Sequence, residues 1–129
     1  MPYKSSRFDI SLLQLTSEYI TVKIGNMKIV RVIYTTTQQY AATNKENIQA
    51  IVNELKTLNH PGIKYSTYLL PDGKTFMHFD QFENEEAHDV LTSLASFKKF
   101  ASELEAGGLE VEPVLVLPSL VASTEEFFG

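Results

Sequence analysis

The sequence predicts an α+β domain whose elements run β-α-β-β-α-β, and three observations lead there. Two stretches carry apolar residues at helical spacing. Four stretches are rich in β-branched and aromatic residues and read as strands. The order in which the two kinds alternate fits that scheme. Length agrees, because 129 residues is the size of one domain and buries enough surface for its own core.

Residues 27–35, from Met27 through Val30 and Val32 to Thr35, form the first strand. Thr43 and Glu46 then stand at capping-box spacing and are expected to open a helix. Ile48, Ile51, Val52, Leu55 and Leu58 give that helix one apolar stripe, and Asn59-His60-Pro61-Gly62 ends it. Residues 63–70 and 75–82 are two strands joined by the turn Pro71-Asp72-Gly73-Lys74. Asn84 can cap a second helix, with Glu85 and Glu86 favourably placed in its first turn. Val90, Leu91, Leu94, Phe97, Ala101 and Leu104 supply its buried stripe, which Ser93 and Ser96 can divide. The second helix stops at Ala106-Gly107-Gly108. Residues 109–117 are the last strand, with Pro113 placing it at a sheet edge or in a bulge.

This is the ferredoxin-like arrangement, an antiparallel sheet with helices on one face. The uncovered face is still apolar, and a second copy of the sheet is its simplest cover. A homodimer is therefore expected. The organisation is residues 1–26 as an extension, 27–117 as the domain and 118–129 as a tail. Within the extension Ile20, Val22 and Ile24 alternate with Thr21 and Lys23, which favours an additional strand.

Composition narrows the function. The net charge is -5, with only two arginines and scattered lysines, which speaks against a phosphate-bearing partner such as nucleic acid. RNA-recognition modules share the topology, but their third-strand motif needs a glycine where Thr75 stands, a small residue at Met77 and an aromatic at His78. No cysteine is present, so disulfides, thiolate catalysis and cysteine-based zinc sites are absent. No apolar run has the length of a signal peptide core or a membrane span. The expectation is a cytoplasmic protein with no membrane contact, and no glycine loop of phosphate-binding type is found.

Alternation splits the third strand into Phe76, His78, Asp80 and Phe82 against Met77, Phe79 and Gln81. The drier set, Met77 and Phe79 with Val30 and Val32, is assigned to the helices. Arg31, His78 and Asp80 then gather on the open face, which becomes the interior of the assembled barrel. Tyr65 or Tyr68 can join them, the parity of residues 63–70 being open. Histidine is suited to general-base work near neutral pH, arginine to stabilising an anion, and a carboxylate to orienting the imidazole. The competing reading is a buried Arg31–Asp80 ion pair with a hydrogen-bonded His78. His60 in its turn and His88 on the second helix read as surface residues. Strand alternation brings only two potential ligands together, so no metal and no cofactor is expected.

Pro61-Gly62, the stretch 76–87 from Phe76 to Ala87, and the stretch 93–100 from Ser93 to Phe100 carry a resemblance to a known group. Over residues 27–122 the chain resembles the dimeric α+β barrel superfamily that includes the antibiotic biosynthesis monooxygenase-like proteins. Asp80 matches an acidic position of that group. Phe82 stands where a tryptophan is usual, and the helical histidine expected near Leu91 is missing. The haem-degrading branch depends on Asn, Trp and His together, and this chain has no tryptophan. The resemblance implies a small, partly apolar ligand in the barrel interior, with Tyr65, Phe76 and Phe82 as ligand contacts. Its enzymatic alternative is a cofactor-independent monooxygenase using His78, Arg31 and Asp80.

Overall fold

The computed structural model describes residues 27–128, and the expected strand over 20–24 lies outside them. Four strands form one antiparallel sheet: β1 (Lys28–Thr36), β2 (Ile63–Leu69), β3 (Thr75–Phe82) and β4 (Leu109–Val116). Their spatial order is β2-β3-β1-β4, so β1 and β3 are central and β2 and β4 are edges. The helices are α1 (Ala41–Leu58), α2 (Glu85–Ser93) and α3 (Ala95–Glu103), followed by a π-helical turn over Leu104–Gly108. The chain thus has the βαββαβ order of a ferredoxin-like fold, with its second helix in two pieces.

α1 begins at Ala41 rather than at Thr43. Tyr40 precedes it and gives no side-chain cap. The capping-box reading fails because Thr43 and Glu46 both lie inside the helix; Asn44 between them is fully buried and donates its side-chain amide to the Tyr34 hydroxyl. Asn59 ends the helix in the left-handed conformation, with its N–H on the Leu55 carbonyl. Asn84 caps α2 as its sequence suggests, accepting the Ala87 N–H at 2.9 Å. The break between α2 and α3 falls at Leu94, which is extended. The start of α3 has no cap of its own. Glu54 of α1 serves it instead, accepting from the Ser96 hydroxyl at 2.6 Å and from the Ser96 N–H at 3.4 Å.

The core lies between the sheet and the helices. Val30, Val32, Tyr34, Phe76 and Phe82 of the central strands pack with Ile48, Ile51, Leu91, Phe97 and Phe100 of the helices. Asn47 adds a polar tie between α1 and α3, donating to Glu103 at 2.8 Å and accepting from Lys99 at 3.1 Å. In the hairpin, Gly73 takes φ +78° while Asp72 accepts the N–H groups of Lys74 and Thr75. Between Ile33 and Thr35 the β4 register advances from Val114 to Val111, so Pro113 sits in a bulge on an edge strand. Beyond β4 the tail carries Phe128 to the far edge, where its ring lies 5.6 Å from Lys64 Nζ of β2. No helix among the described residues is long and apolar enough to cross a membrane.

Candidate functional site

Register decides which side chains meet. β1 pairs antiparallel with β3 so that Tyr34 faces Phe76, Val32 faces His78 and Val30 faces Asp80. Directly opposed residues share a face. Val30 and Val32 do lie toward the helices, and the register therefore carries His78 and Asp80 there too, not to the open face. Arg31 opposes Phe79 on the other side of the sheet. His78 and Asp80 come together; Arg31 does not join them, and the expected Arg31–Asp80 pair is not formed. Phe76 and Phe82 explain the choice, since burying these two rings outweighs burying the half-exposed Met77 and Phe79.

On the helix side a continuous row of polar groups runs through an aromatic core. Asn44 donates to the Tyr34 hydroxyl at 2.9 Å, and that hydroxyl lies 2.7 Å from His78 Nε2. An amide nitrogen can only donate, so the Tyr34 oxygen accepts there and its own proton goes to Nε2. Nε2 is thus the acceptor of the ring and Nδ1 carries the proton. Nδ1 meets the Thr67 hydroxyl at 3.2 Å and the Tyr65 hydroxyl at 3.4 Å. The parity of β2 is settled by the same contacts: Tyr65 and Thr67 point to the helices and Tyr68 to the open face. The His78 ring also stacks on Tyr34 at 5.4 Å and meets Phe100 at 5.3 Å.

Burial sets the protonation states. It pushes the His78 imidazole down to about 3, so the ring is neutral at physiological pH with both nitrogens engaged. Such a ring is a poor general base. Burial raises the Tyr34 and Tyr65 hydroxyls, which stay protonated. It also raises the Asp80 carboxyl well above the usual range, and Asp80 Oδ1 is buried without a hydrogen-bond partner.

His88 belongs to this row although its sequence position reads as surface. It is 2% exposed, packs edge-on against Phe82 at 4.8 Å, and its Nδ1 is buried without a partner. Burial chiefly, then the Lys28 charge, lowers its imidazole to about 4, against an opposing pull from Asp89. The signal was present in the helical spacing: His88 stands one turn before Leu91 and Thr92, both buried. His60 remains near the surface, accepting the Gly62 N–H on Nδ1 and facing Glu86 at 3.3 Å.

Among the described residues, a chamber and two clefts border the row. A chamber of about 20 Å³ lies between sheet and helices, lined by Val32, Asp80, Phe82, His88, Leu91 and Phe100 among others. Two larger clefts open between α1 and the edge strand β2. One, of about 230 Å³, has Val52, Leu55, Ile63 and Tyr65 as its apolar part and Lys56, Asn59 and His60 as its polar part. The other, of about 250 Å³, is lined by Lys45, Ile48, Gln49, Thr67, Tyr68, Leu69 and Phe76. Tyr65 and Thr67 each line one cleft and each reach His78 behind it. Of the expected ligand contacts, Tyr65 and Phe76 stand in the clefts and Phe82 in the chamber.

No protein-family model matches the chain, and no curated protein matches it in sequence. Solved structures do match in fold. A putative antibiotic biosynthesis monooxygenase from Bacteroides thetaiotaomicron superposes with a TM-score of 0.68 at 10% identity, covering 78% of this chain and 95% of that one. One of the same description from Nitrosomonas europaea gives 0.62 at 12% identity, with 78% and 95% covered. Rv0793 from Mycobacterium tuberculosis gives 0.64 at 11% identity, covering 77% of this chain and 99% of that chain. At such identities the likeness speaks for architecture alone. The chain has the ferredoxin-like α+β fold of the antibiotic biosynthesis monooxygenase-like structures.

Proposed function

We propose that this chain is a cytoplasmic homodimer that binds a small, partly apolar molecule on the helix side of its sheet, in the clefts between α1 and β2. The observation that carries the reading is the double role of Tyr65 and Thr67. Each lines a cleft and each holds a hydrogen bond to the buried His78. A ligand ring resting on Val52, Leu55 and Tyr65, or on Ile48 and Phe76, has hydroxyls within reach for its polar group. Apolar walls with a few placed polar groups are what small-molecule sites share. Phe82, the third expected contact, lines the inner chamber instead.

The test is a titration of the labelled protein, followed by amide shifts, with a panel of small aromatic alcohols and acids. Binding compounds should move the amides of Tyr65, Thr67 and the facing turns of α1. Tyr65→Ala should weaken such a compound about tenfold, the loss of one well-placed contact of roughly 1.4 kcal/mol. A panel in which nothing binds, or binds only on the open sheet face, refutes the assignment.

The second copy is assigned to the open face, which presents Ile33, Met77, Phe79, Tyr68 and Val114, the last two 52% and 55% exposed. Sedimentation at micromolar concentration should show a dimer of the 14.5 kDa chain. A stable monomer refutes it.

The enzymatic alternative is cofactor-independent oxygenation, favoured by two fold neighbours described as putative antibiotic biosynthesis monooxygenases and by Asp80 Oδ1, which is buried without a partner. With His78 saturated, Asp80 is the one of the three expected residues left for acid–base work, and because it lines the inner chamber this reading requires the helix layer to open to substrate. Oxygen uptake with a bound quinol, abolished in Asp80→Asn, supports it. Binding without uptake leaves the chain a binding protein.

A further inference from the structure

Counting hydrogen bonds along the polar row leaves Asn44 Oδ1 over at its start and two groups over at its other end. Tyr34 is satisfied by Asn44 and His78, and His78 by Tyr34 on one nitrogen and Thr67 and Tyr65 on the other. Asp80 Oδ1 and His88 Nδ1 are not satisfied, though Asp80 is 7% and His88 2% exposed. Native interiors rarely tolerate one such atom, because its desolvation is not offset. Here two stand on different elements, β3 and α2, and both residues line the same chamber.

The size of that chamber restricts what can serve them. It measures about 20 Å³. A single water needs roughly 10–15 Å³ on this measure, and a dry cavity is one with apolar walls only. The chamber therefore admits water, and with polar atoms in its wall it is not a dry cavity. A metal ion needs at least three donors at bonding distance, and no group of three or more His, Cys, Asp or Glu suited to one exists among the described residues. The occupant must also serve a carboxyl and an imidazole, either of which can present a donor or an acceptor. Water does both at once.

We propose that this chamber seats one internal water molecule, hydrogen-bonded to Asp80 Oδ1 and His88 Nδ1, which clasps α2 to β3. It is a site distinct from the clefts and stands whether or not they bind a ligand. The buried Val32, Leu91 and Phe100 wall the chamber, so this water is held longer than surface water.

Magnetisation transfer from water to the methyl protons of Val32 and Leu91 tests it directly. The wild-type protein should show cross-peaks with the sign of a long-lived internal water, and their absence overturns the proposal. The Asp80→Leu, His88→Leu double variant should lose them, since the new methyls fill the chamber and no polar group is left to hold water. Urea unfolding supplies a second reading. Each single Leu variant leaves one atom unserved and should lower the midpoint, while the double should fall by less than the two shifts added. Strict additivity overturns the clasp. If the double does not fold, the Asp80→Asn variant, which keeps a polar partner, should retain the cross-peaks; their loss there overturns it equally.

Discussion

Replacing His78 by phenylalanine isolates the polar part of the row from its packing. The new ring keeps the stacks on Tyr34 and Phe100, at 5.4 and 5.3 Å, and is similar in size. What goes is the 2.7 Å bond from the Tyr34 hydroxyl and the contacts of Nδ1 with Thr67 and Tyr65. Thr67 borders an open cleft and regains water, while the buried Tyr65 hydroxyl keeps Thr67 as a partner. The Tyr34 proton is left buried without an acceptor, at a cost of about 1–3 kcal/mol. For a chain of this length that corresponds to a fall of about 3–5 °C in Tm per kcal/mol. The same variant also changes the response to acid. His78 has a folded pKa near 3 against about 6.5 unfolded, so the unfolded chain takes up the proton first. Stability from this group is complete above pH 6.5 and is lost as pH falls toward 3. Between pH 7 and 5 the loss is about 2 kcal/mol, from 1.36 kcal/mol per unit. His88 adds a loss of the same sign, and Asp80, whose folded pKa is raised, opposes both. Phe at position 78 removes only the His78 share. Urea unfolding should therefore find the variant about 2 kcal/mol weaker at pH 7 and close to wild type at pH 5. Parallel stability curves across that range would refute the reasoning, as would a variant at least as stable as wild type at pH 7.

Three further outcomes follow from single contacts. Gly108→Ala sets a Cβ within 2.5–2.9 Å of the Tyr40 ring and should cost about 1–3 kcal/mol by overpacking, read from Tm. Asn84→Ala removes the acceptor of the Ala87 N–H and should cost about 1 kcal/mol, with the amide exchange of the first turn of α2 rising. Arg31→Met lies across the sheet from the row, so the His78 ring-nitrogen shifts should stay where they are in wild type; a clear change there would show that the two faces communicate.

The strands and helices were legible because each is signalled locally, by alternation, by a helical stripe or by a turn residue such as Asn84 or Gly73. The face of β3 was not. Its two alternating sets both contain aromatics, and polarity alone ranked Met77 and Phe79 as the drier. The β1 assignment was sound. Joining it to β3 needed the register that sets Val32 against His78, which is a fact about residues far apart in the chain. The start of α1 was missed for a related reason. Thr43 and Glu46 fit a capping box by spacing, yet both lie inside the helix, whose first turn is tied to the core by the tertiary bond from Asn44 to Tyr34. His88 shows the converse, a polar residue on the buried stripe of α2 whose spacing with Leu91 outweighs its polarity.

The sheet order has a consequence for the way the site comes into being. β2 and β3 meet through a tight hairpin and can pair on a microsecond scale, bringing Tyr65 and Thr67 beside His78. Tyr34 arrives from a strand 44 residues away, and β4 from farther still. Closing those long loops is entropically slower than zipping a hairpin. Pairing of the hairpin alone gives His78 its Nδ1 neighbours but not Tyr34. The row is completed only when the central strand inserts between its two distant partners. Ligand binding at the clefts, wherever it depends on a fixed His78, reports the finished sheet rather than the hairpin.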